Sequence, residues 1–301
     1  MDKIEFQWLL GDKSQKDALK ELLGCSGQLL KKYFSNRELE RHIHLQDLSR
    51  LPIDFMNHMQ ITPRYVGAPT VIIKETKDLL AIHKPPGIHC HPHCYSDQDT
   101  VLNSLVEMKK WEALLVNTSH YDRGLLYRLD QETSGVVLLA KNEKTFLKIR
   151  QEFQTEMKGK YYWAIVDNGF NSPGTHTHYL RASGVKGCKQ KIADSFDEHA
   201  TPGTLSVMKV MESETQSLLL IKLNTGLRHQ IRTQLAALGF PILGDELYGG
   251  RADKRLFLHA LRYEWGDEVI EDVQAELFDS FFDLDRAFQM GHDMFRIIKS
   301  R

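Results

Sequence analysis

Short apolar runs bounded by polar turns recur through the middle of the chain and predict β-strands. The run at 136–140 is apolar throughout, which is typical of a buried strand, whereas residues 158–166 place aromatic side chains beside lysines. A polar turn at 212–216 separates two further runs and predicts a hairpin. The predicted strands lie within residues 71–82, 136–140, 158–166, 204–210, 217–223 and 256–260.

Apolar residues at helical spacing predict helices before, between and after these strands. The stretch that ends at Gly239 is predicted as one helix, with Arg228 and Arg232 four residues apart on one face. The tail repeats apolar residues every three or four positions and predicts an amphipathic helix. The helical patterns lie within residues 14–50, 102–111, 145–153, 228–238 and 273–288.

Residues 51–69 contain prolines and no strong period, which indicates a linker. The chain is therefore predicted to have two parts. The first is a small helical N-terminal unit with its linker, over residues 1–69, whose basic edge fits a solvated helix pair and an RNA-binding unit equally well. The second is a larger domain with a C-terminal helical tail, over residues 70–301.

Composition is that of an ordinary soluble protein, with 42% apolar and 26% charged residues and a net charge of −1. The middle of the chain is mildly basic and the tail acidic, so any binding patch must be local. No apolar run is long enough to span a bilayer. Four cysteines in 301 residues do not suggest a disulfide framework, so a cytoplasmic protein with free thiols is expected.

Two charged residues precede the apolar run at 136–140. Arg128 and Asp130 are two positions apart and would point to one side of an extended strand, and a Thr-Ser-Gly turn follows at 133–135. A carboxylate beside a guanidinium between apolar strands is costly unless the charges are paired. This pattern alone fits a structural ion pair and a functional site equally well.

Three further segments can each be interpreted in two ways. The segment 89–94 is rich in histidine and cysteine but lacks the paired spacing of zinc modules, so a polar loop is favoured and no metal is expected. Aromatic residues beside lysines at 158–166 suit base stacking and phosphate contacts, and equally a half-buried strand. The basic stretch 181–191 fits a loop that follows a phosphate backbone or a solvated loop.

Several blocks of the sequence, in the same order, resemble the RluA-type family of pseudouridine synthases. The resemblance covers about residues 70–262. Its matching blocks are Lys84-Pro85-Pro86-Gly87 with His91-Pro92, Arg128-Leu129-Asp130 with 133–135, the strand carrying Lys160 and Tyr162, the long block from Thr225 to Gly249, and 258–260.

The resemblance implies an α+β fold with a mostly antiparallel central sheet and a catalytic cleft across it. It implies an enzyme that isomerises uridine in structured RNA, ribosomal or transfer, to pseudouridine without a cofactor or metal. RNA is then the expected partner, and a monomer is the default. The alternatives are an RNA- or ribosome-binding protein that keeps this fold without turnover, and a glycoside-cleaving hydrolase, which would normally need two carboxylates.

By the same resemblance, Asp130 is the catalytic carboxylate, Arg232 pairs with it, and Tyr162 stacks on the target base. Arg128 is expected to face the RNA when the uridine leaves the stack. The remaining residues expected to bind substrate RNA are Lys84, Thr133, Lys160, Arg228, His229 and Gln230.

The chain departs from the family pattern in three places. Tyr127 precedes Arg128 where the family usually has histidine. Leu227 follows Thr225-Gly226 where the family commonly has arginine, and Arg228 lies one position later. The N-terminal unit also matches the family's small helical RNA-binding module poorly.

Overall fold

The computed structural model describes the central part of the chain and shorter pieces at both ends. The described residues are 14, 16–17, 19–20, 27–32, 34–40, 61–62, 64–93, 97–118, 120–151, 157–184, 189–194, 197–265, 268–272, 278, 280–283 and 285–291. Several predictions fall outside them: Cys25, Cys94 and Cys188, residues 41–60 of the N-terminal unit and linker, residues 185–188 of the basic stretch, and residues 273–277 of the tail.

The described residues form one ten-stranded mixed sheet. The strands are β1 Val71–Glu75, β2 Leu79–Lys84, β3 Ser134–Ala140, β4 Met157–Asp167, β5 Gly174–Ser183, β6 Lys189–Ala193, β7 Thr201–Glu212, β8 Gln216–Leu223, β9 Leu258–Trp265 and β10 Glu268–Glu271. Their order in the sheet is β1-β2-β3-β9-β4-β8-β7-β5-β6, and β10 pairs with β9 away from this path.

Central strands are buried on both faces, because each alternates apolar side chains between two cores. On β4, Tyr162 and Ala164 belong to one cluster of buried residues, and Trp163 and Ile165 to another. The first cluster extends along one face from β2 to β7. The opposite face is covered by two clusters, one over β4 and β8 with the tail residue Phe278, and one over β2 and β3.

Nearly all strand pairs are antiparallel, and the exception joins two halves of the sheet. β3 pairs with β9 in parallel through only Ser134 with His259 and Gly135 with Ala260. Gly135 has a φ of 115°, and a Cβ at this position would lie 2.3 Å from the carbonyl oxygen of Ala260. Only glycine fits this close approach. We call this pairing the seam; β1–β3 lie on one side, and β4–β9 on the other.

Helices precede and connect the strands along the chain. They are α1 Gly27–Leu30, α2 Asn36–Leu39, α3 Val101–Glu107, α4 Glu143–Gln151 and α5 Gln230–Ala237, with 3-10 turns at Trp111–Leu115 and Glu246–Tyr248. Thr100 caps α3, its side chain accepting from the backbone N–H of Asn103. Residues 285–291 are helical in the tail, where an amphipathic helix was predicted. No helix in the described segments is long and apolar enough to cross a membrane.

The strand predictions are confirmed, but three local predictions are wrong. The helix predicted at 102–111 ends at Glu107, because Lys109 has a φ of 57°. The helix with Gly239 at its end begins at Gln230, because His229 is left-handed, so Arg228 and Arg232 do not share a helix face. The stretch 181–191 is not one loop, since its described residues belong mainly to the hairpin of β5 and β6.

Candidate active site

The segment that carries Asp130 is held by the loop that follows β2. Lys84 is fully buried, and its ammonium group donates to the carbonyl oxygens of Pro85, Ile88 and Gln131 at 2.7–2.9 Å. Gly87 and Gln131 exchange two more hydrogen bonds of 2.9 Å. Burial lowers the pKa of Lys84 to about 8. This geometry differs from the predicted phosphate contact, because all three N–H donors of Lys84 bind the protein's own backbone.

Arg128 and Asp130 do not share a strand face. Residues 127–130 belong to neither a helix nor a strand, and the two charged side chains contact different groups. Thr133 donates its backbone N–H to the carbonyl oxygen of Asp130 at 3.1 Å, which closes a turn before β3. The expectation from sequence spacing is therefore wrong, because it assumed an extended backbone at these residues.

The start of α5 is fixed by Gln230. Its side-chain oxygen accepts from the hydroxyl of Thr225 at 2.8 Å and the N–H of Leu227 at 3.0 Å, and its amide donates to the carbonyl oxygen of Thr204 at 3.1 Å. Gln230 is buried. Its contacts tie the turn before α5 to β7, so Gln230 has a scaffold position in the described structure, and RNA binding by it stays a prediction.

Arg232 lies between two carboxylates. Its Nε and Nη2 donate to the two carboxylate oxygens of Asp245 at 2.8 and 2.7 Å, and its Nη1 lies 3.6 Å from Oδ2 of Asp130. Although burial lowers it, these hydrogen bonds raise the pKa of Arg232 above its usual value. The bidentate pair orients the guanidinium so that its remaining nitrogen faces Asp130.

His229 approaches the same carboxylate oxygen of Asp130 as Arg232 does. Its Nε2 is 3.8 Å from Oδ2 of Asp130, and its Nδ1 is 2.9 Å from the hydroxyl of Tyr248. The left-handed backbone of His229, with a φ of 51°, turns the chain into α5 at this point. Burial lowers the pKa of His229 although the Asp130 carboxylate opposes the shift, so the imidazole is neutral at pH 7.

Three tyrosines at the site, Tyr127, Tyr162 and Tyr263, contact one another. The hydroxyls of Tyr162 and Tyr263 are 3.2 Å apart, and the rings of Tyr127 and Tyr263 stack with their centres 5.4 Å apart. Burial, with Asp130 adding to it, raises the pKa of Tyr162 to about 12 even though the hydrogen bond with Tyr263 lowers it. Tyr162 is therefore a neutral phenol at pH 7, with its hydroxyl proton in place.

Lys160 lies against these rings. Its Nζ is 4.5 Å from the ring centre of Tyr127, within the range of a cation–π contact. The residue is buried, and burial lowers its pKa to about 7. Tyr127, where the family usually has histidine, thus packs an aromatic face against Lys160 and Tyr263.

Arg128 points to a separate cluster of rings. Its Nη1 donates to Asp122, to the hydroxyl of Tyr121 and to Nε2 of His91, each at 3.2 Å. Half of the Arg128 side chain is exposed. The other guanidinium nitrogens have no hydrogen-bond partner among the residues described, so they are available to an external acceptor.

The other predicted site residues have different surroundings. Arg228 is exposed beside His229. Thr133 is buried, and its hydroxyl has no hydrogen-bond partner in the described part of the chain. No group of His, Cys, Asp and Glu side chains in that part is arranged to hold a metal ion.

Asp245 and Tyr248 also belong to the site, although no role was predicted for them. Asp245 is buried and holds Arg232, and the ring centre of Tyr248 lies 5.2 Å from the Arg232 guanidinium carbon. Both residues lie in a turn-rich loop after α5, within the block from Thr225 to Gly249 that resembles the family. A lone acidic residue in such a loop signals no partner, because its contact with Arg232 depends on how the loop folds back.

The arrangement combines an accessible carboxylate, a fixed buried cation and a neutral phenol. The Asp130 side chain is 24% exposed, whereas those of Arg232 and Asp245 are 7% and 0% exposed. Among these charged groups Asp130 is the one open to a ligand. Such a site can present an anionic oxygen to an electron-poor carbon within apolar and aromatic walls.

Comparisons with known proteins define the class. A family model described as RNA pseudouridylate synthase matches residues 78–237, which is more than half of the chain and includes Asp130, Tyr162 and Arg232. The chain belongs to the RNA pseudouridylate synthase family.

Named relatives are similar over the same region. Ribosomal large subunit pseudouridine synthase D of Borreliella burgdorferi is 35% identical over 65% of this chain and 61% of its own length. The protein of the same name from Pseudomonas aeruginosa is 30% identical over 60% of this chain and 53% of its own length. The matches thus span about half to three fifths of these relatives.

Solved structures agree on the fold. Human RNA Pseudouridylate Synthase Domain Containing 1 superposes with a TM-score of 0.53 at 22% identity, covering 68% of this chain and 82% of that one. Human RNA Pseudouridylate Synthase Domain Containing 4 has a TM-score of 0.51 at 19% identity, covering 73% and 92%. The α+β fold with a mostly antiparallel sheet is confirmed.

Proposed function

We propose that the chain is an RNA pseudouridine synthase, in which Asp130 is the catalytic carboxylate. The supporting observation is that Asp130 is partly exposed while the groups that face it, Arg232 and His229, are held in place by Asp245 and Tyr248. The reaction breaks the bond between N1 of uracil and C1′ of ribose, joins C1′ to C5 of the same base, and removes the proton from C5 while N1 gains one.

Asp130 is proposed to attack either the uracil ring or the ribose carbon. Arg232 places a positive charge beside the Asp130 carboxylate and directs it, because its guanidinium is oriented by Asp245 and lies 3.6 Å away. His229 is neutral and adds a polar group without a second positive charge. No cofactor or metal enters this scheme.

Tyr162 is proposed to lie against the target uracil. Its pKa of about 12 makes it a poor base at neutral pH, so we assign it stacking and hydrogen bonding through its phenol hydroxyl. It takes part in proton movement only as a donor or through Tyr263. Lys160, in contact with the ring of Tyr127, then helps to hold these tyrosines in place.

Arg128 is proposed to contact RNA as the uridine leaves its stack. One nitrogen of its guanidinium is held by Asp122, Tyr121 and His91, and the group is half exposed, so it can reach a phosphate or fill the vacated position. Arg228 is a second proposed contact. The relatives' names favour ribosomal RNA of the large subunit as the substrate, with transfer RNA as the other candidate.

The test is conversion of uridine to pseudouridine by the purified protein and its Asp130→Asn variant. Ribosomal and transfer RNA from cells that lack the protein serve as substrates, and modified sites are mapped in both. We expect conversion by the native protein, and loss of at least a thousandfold in single-turnover rate with near-native RNA affinity in the variant.

The control is Asp167→Asn, which changes an exposed carboxylate at the end of β4. It should convert RNA at the native rate. Undiminished conversion by Asp130→Asn would overturn the assignment of the catalyst. RNA binding by the native protein with no conversion in either RNA pool would favour the alternative of a binding protein without turnover.

A further inference from the structure

A buried chain of hydrogen bonds crosses the seam between β3 and β9. Arg255 donates to the hydroxyl of Ser134 at 2.6 Å, and that hydroxyl lies 2.9 Å from Nδ1 of His259. Nε2 of His259 is 3.2 Å from the carbonyl oxygen of Asp272, and Nδ1 of His83 is 2.5 Å from the Asp272 carboxylate. These groups link both sides of the sheet.

The direction of each hydrogen bond follows from the carbonyl oxygen at one end. The Asp272 carbonyl oxygen can only accept, so neutral His259 carries its proton on Nε2 and donates to it. Nδ1 of His259 then accepts from the Ser134 hydroxyl, whose oxygen in turn accepts from Arg255. Burial lowers the pKa of His259 to about 4, which agrees with a neutral ring. Every donor in the chain therefore has an acceptor.

Serine, histidine and aspartate in series also form hydrolytic triads, but this set is closed to substrates. Ser134 and His259 are each 1% exposed, and so is Asp272. The Ser134 hydroxyl is already occupied by Arg255 as well as by His259. A role in holding the structure fits this burial, and a role as nucleophile does not.

The position of this hydrogen-bond network in the fold indicates what it holds in place. The backbone pairing of β3 with β9 is limited to two residue pairs, and Ser134 with His259 is one of them. Asp130 lies four residues before Ser134, on the β1–β3 side. Tyr162 and Arg232 lie on the other side, on β4 and α5. The seam thus separates the carboxylate from the groups that face it.

We infer that Ser134, His259 and Asp272 are positioning residues that set the distance between Asp130 and Arg232 by fixing the seam. This inference rests on the proposed function for its kinetic consequences, but its geometric content stands apart from it. Hydrogen bonds between side chains strengthen the seam, where backbone pairing is limited to two residue pairs. A displacement of 1 Å at a reacting centre costs on the order of a hundredfold in rate.

The experiment compares two variants of His259. His259→Leu removes both hydrogen bonds, whereas His259→Asn keeps an acceptor near the position of Nδ1 and so retains the Ser134 bond. The control is Asn103→Ala, which removes a buried hydrogen-bonded side chain from α3, away from the seam. Melting temperatures are measured first, and kinetics are run well below the lowest of them.

We expect His259→Leu to lower the single-turnover rate at least tenfold, with RNA affinity within threefold of native. His259→Asn should recover most of that rate, and Asn103→Ala should keep the native rate despite a lowered melting temperature. A native rate in a folded His259→Leu variant would overturn the inference, since the network would then be merely structural.

Crystal structures of the two His259 variants provide a readout that needs no activity. We expect the distance between Asp130 Oδ2 and Arg232 Nη1 to exceed the native 3.6 Å in His259→Leu and to stay near it in His259→Asn. An unchanged separation in His259→Leu would overturn it. If the native protein converts no RNA, the proposed function fails, and these structures alone decide the inference. If His259→Leu does not fold, Ser134→Ala takes its place in both measurements.

Discussion

Arg128 and Arg232 are each paired with a buried aspartate, yet the two arginines are held differently. Arg232 is almost fully buried and forms two hydrogen bonds of 2.7–2.8 Å with both oxygens of Asp245. Arg128 is half exposed, and a single nitrogen makes three contacts of 3.2 Å, one of them to Asp122. The Arg232 guanidinium is thus held through two of its nitrogens, and the Arg128 guanidinium through one.

The difference separates two tasks. A bidentate, buried pair cannot rotate without leaving a charge unpaired, so Arg232 suits a fixed electrostatic role beside Asp130. A half-exposed arginine loses little when it leaves its partner, because water and screening replace most of the interaction. Arg128 can therefore move toward a bound nucleic acid while Arg232 stays in place.

Among changes to the two arginines and Lys160, the largest effect is expected from Arg232→Ala. It removes the cation facing Asp130 and leaves the fully buried Asp245 uncompensated, which should lower the free energy of unfolding by about 3–5 kcal/mol. The single-turnover rate should fall by a hundredfold or more, a loss of about 2–5 kcal/mol of transition-state stabilisation. Urea unfolding and single-turnover kinetics measure the two losses.

A paired variant separates stability from activity at this site. Arg232→Met with Asp245→Leu replaces the ion pair by apolar side chains, and should recover much of the lost stability while activity stays low. Near-native kinetics in either Arg232 variant would show that another cation serves Asp130, and the contrast with Arg128 would then fail.

A third cation, Lys160, sharpens the comparison because its described contact is an aromatic ring. Its pKa is about 7 in the folded protein against a usual 10.5, so between these values the unfolded chain binds more protons. The free energy of unfolding contributed by Lys160 therefore rises with pH above about 7, by at most about 1.4 kcal/mol per pH unit, and levels off near 10.5.

Urea unfolding at several pH values between about 7 and 9.5 measures this slope. Lys160→Met should lower this slope and leave the rise above about pH 8 that Lys84, whose pKa is about 8, contributes, whereas Lys77→Met, at an exposed turn, should keep the native slope. Equal slopes in native protein and Lys160→Met would mean that Lys160 keeps its ordinary pKa, and that it behaves like the exposed Arg128 and not like a buried charge.

The smallest effect is expected from Arg128→Gln. It should weaken RNA binding about threefold to tenfold, leave the free energy of unfolding within about 0.5 kcal/mol, and lower the slope of log affinity against log salt by nearly one. Binding titrations at several salt concentrations measure it. Arg251→Gln is the control, since Arg251 is equally exposed and pairs with Asp167. An unchanged salt slope in Arg128→Gln would place Arg128 outside the RNA contact.

Apolar patterning predicted most of the sheet, because strands buried on both faces leave continuous apolar runs such as those of β3 and β8. The same reasoning failed where single residues change the backbone. His229, with its positive φ, ends the helical pattern before α5, and Lys109 does the same after α3. Lysine gives no signal of a left-handed backbone in a sequence, and the enrichment of histidine there is too weak to place one.

The site was predicted in part. Sequence blocks singled out Asp130, Tyr162 and Arg232, which the fold brings into one cluster. Pairings across long loops were not predictable, because they depend on tertiary packing. Asp245 is 13 residues from Arg232, and its role follows only from the course of the loop between them. Lys84 illustrates the converse, since a lysine in a Pro-rich loop suggested an exposed contact but is buried among carbonyl groups.

The seam also bears on the order of folding. Ser134 and His259 are 125 positions apart, so their pairing closes one of the longest loops in the chain, and closure entropy grows with loop length. Asp130, Tyr162 and Arg232 all precede β9 in the chain, yet the two sides of the sheet join only once β9 lies between β3 and β4. During synthesis, the residues of the candidate site are complete before the strand that aligns them has been made.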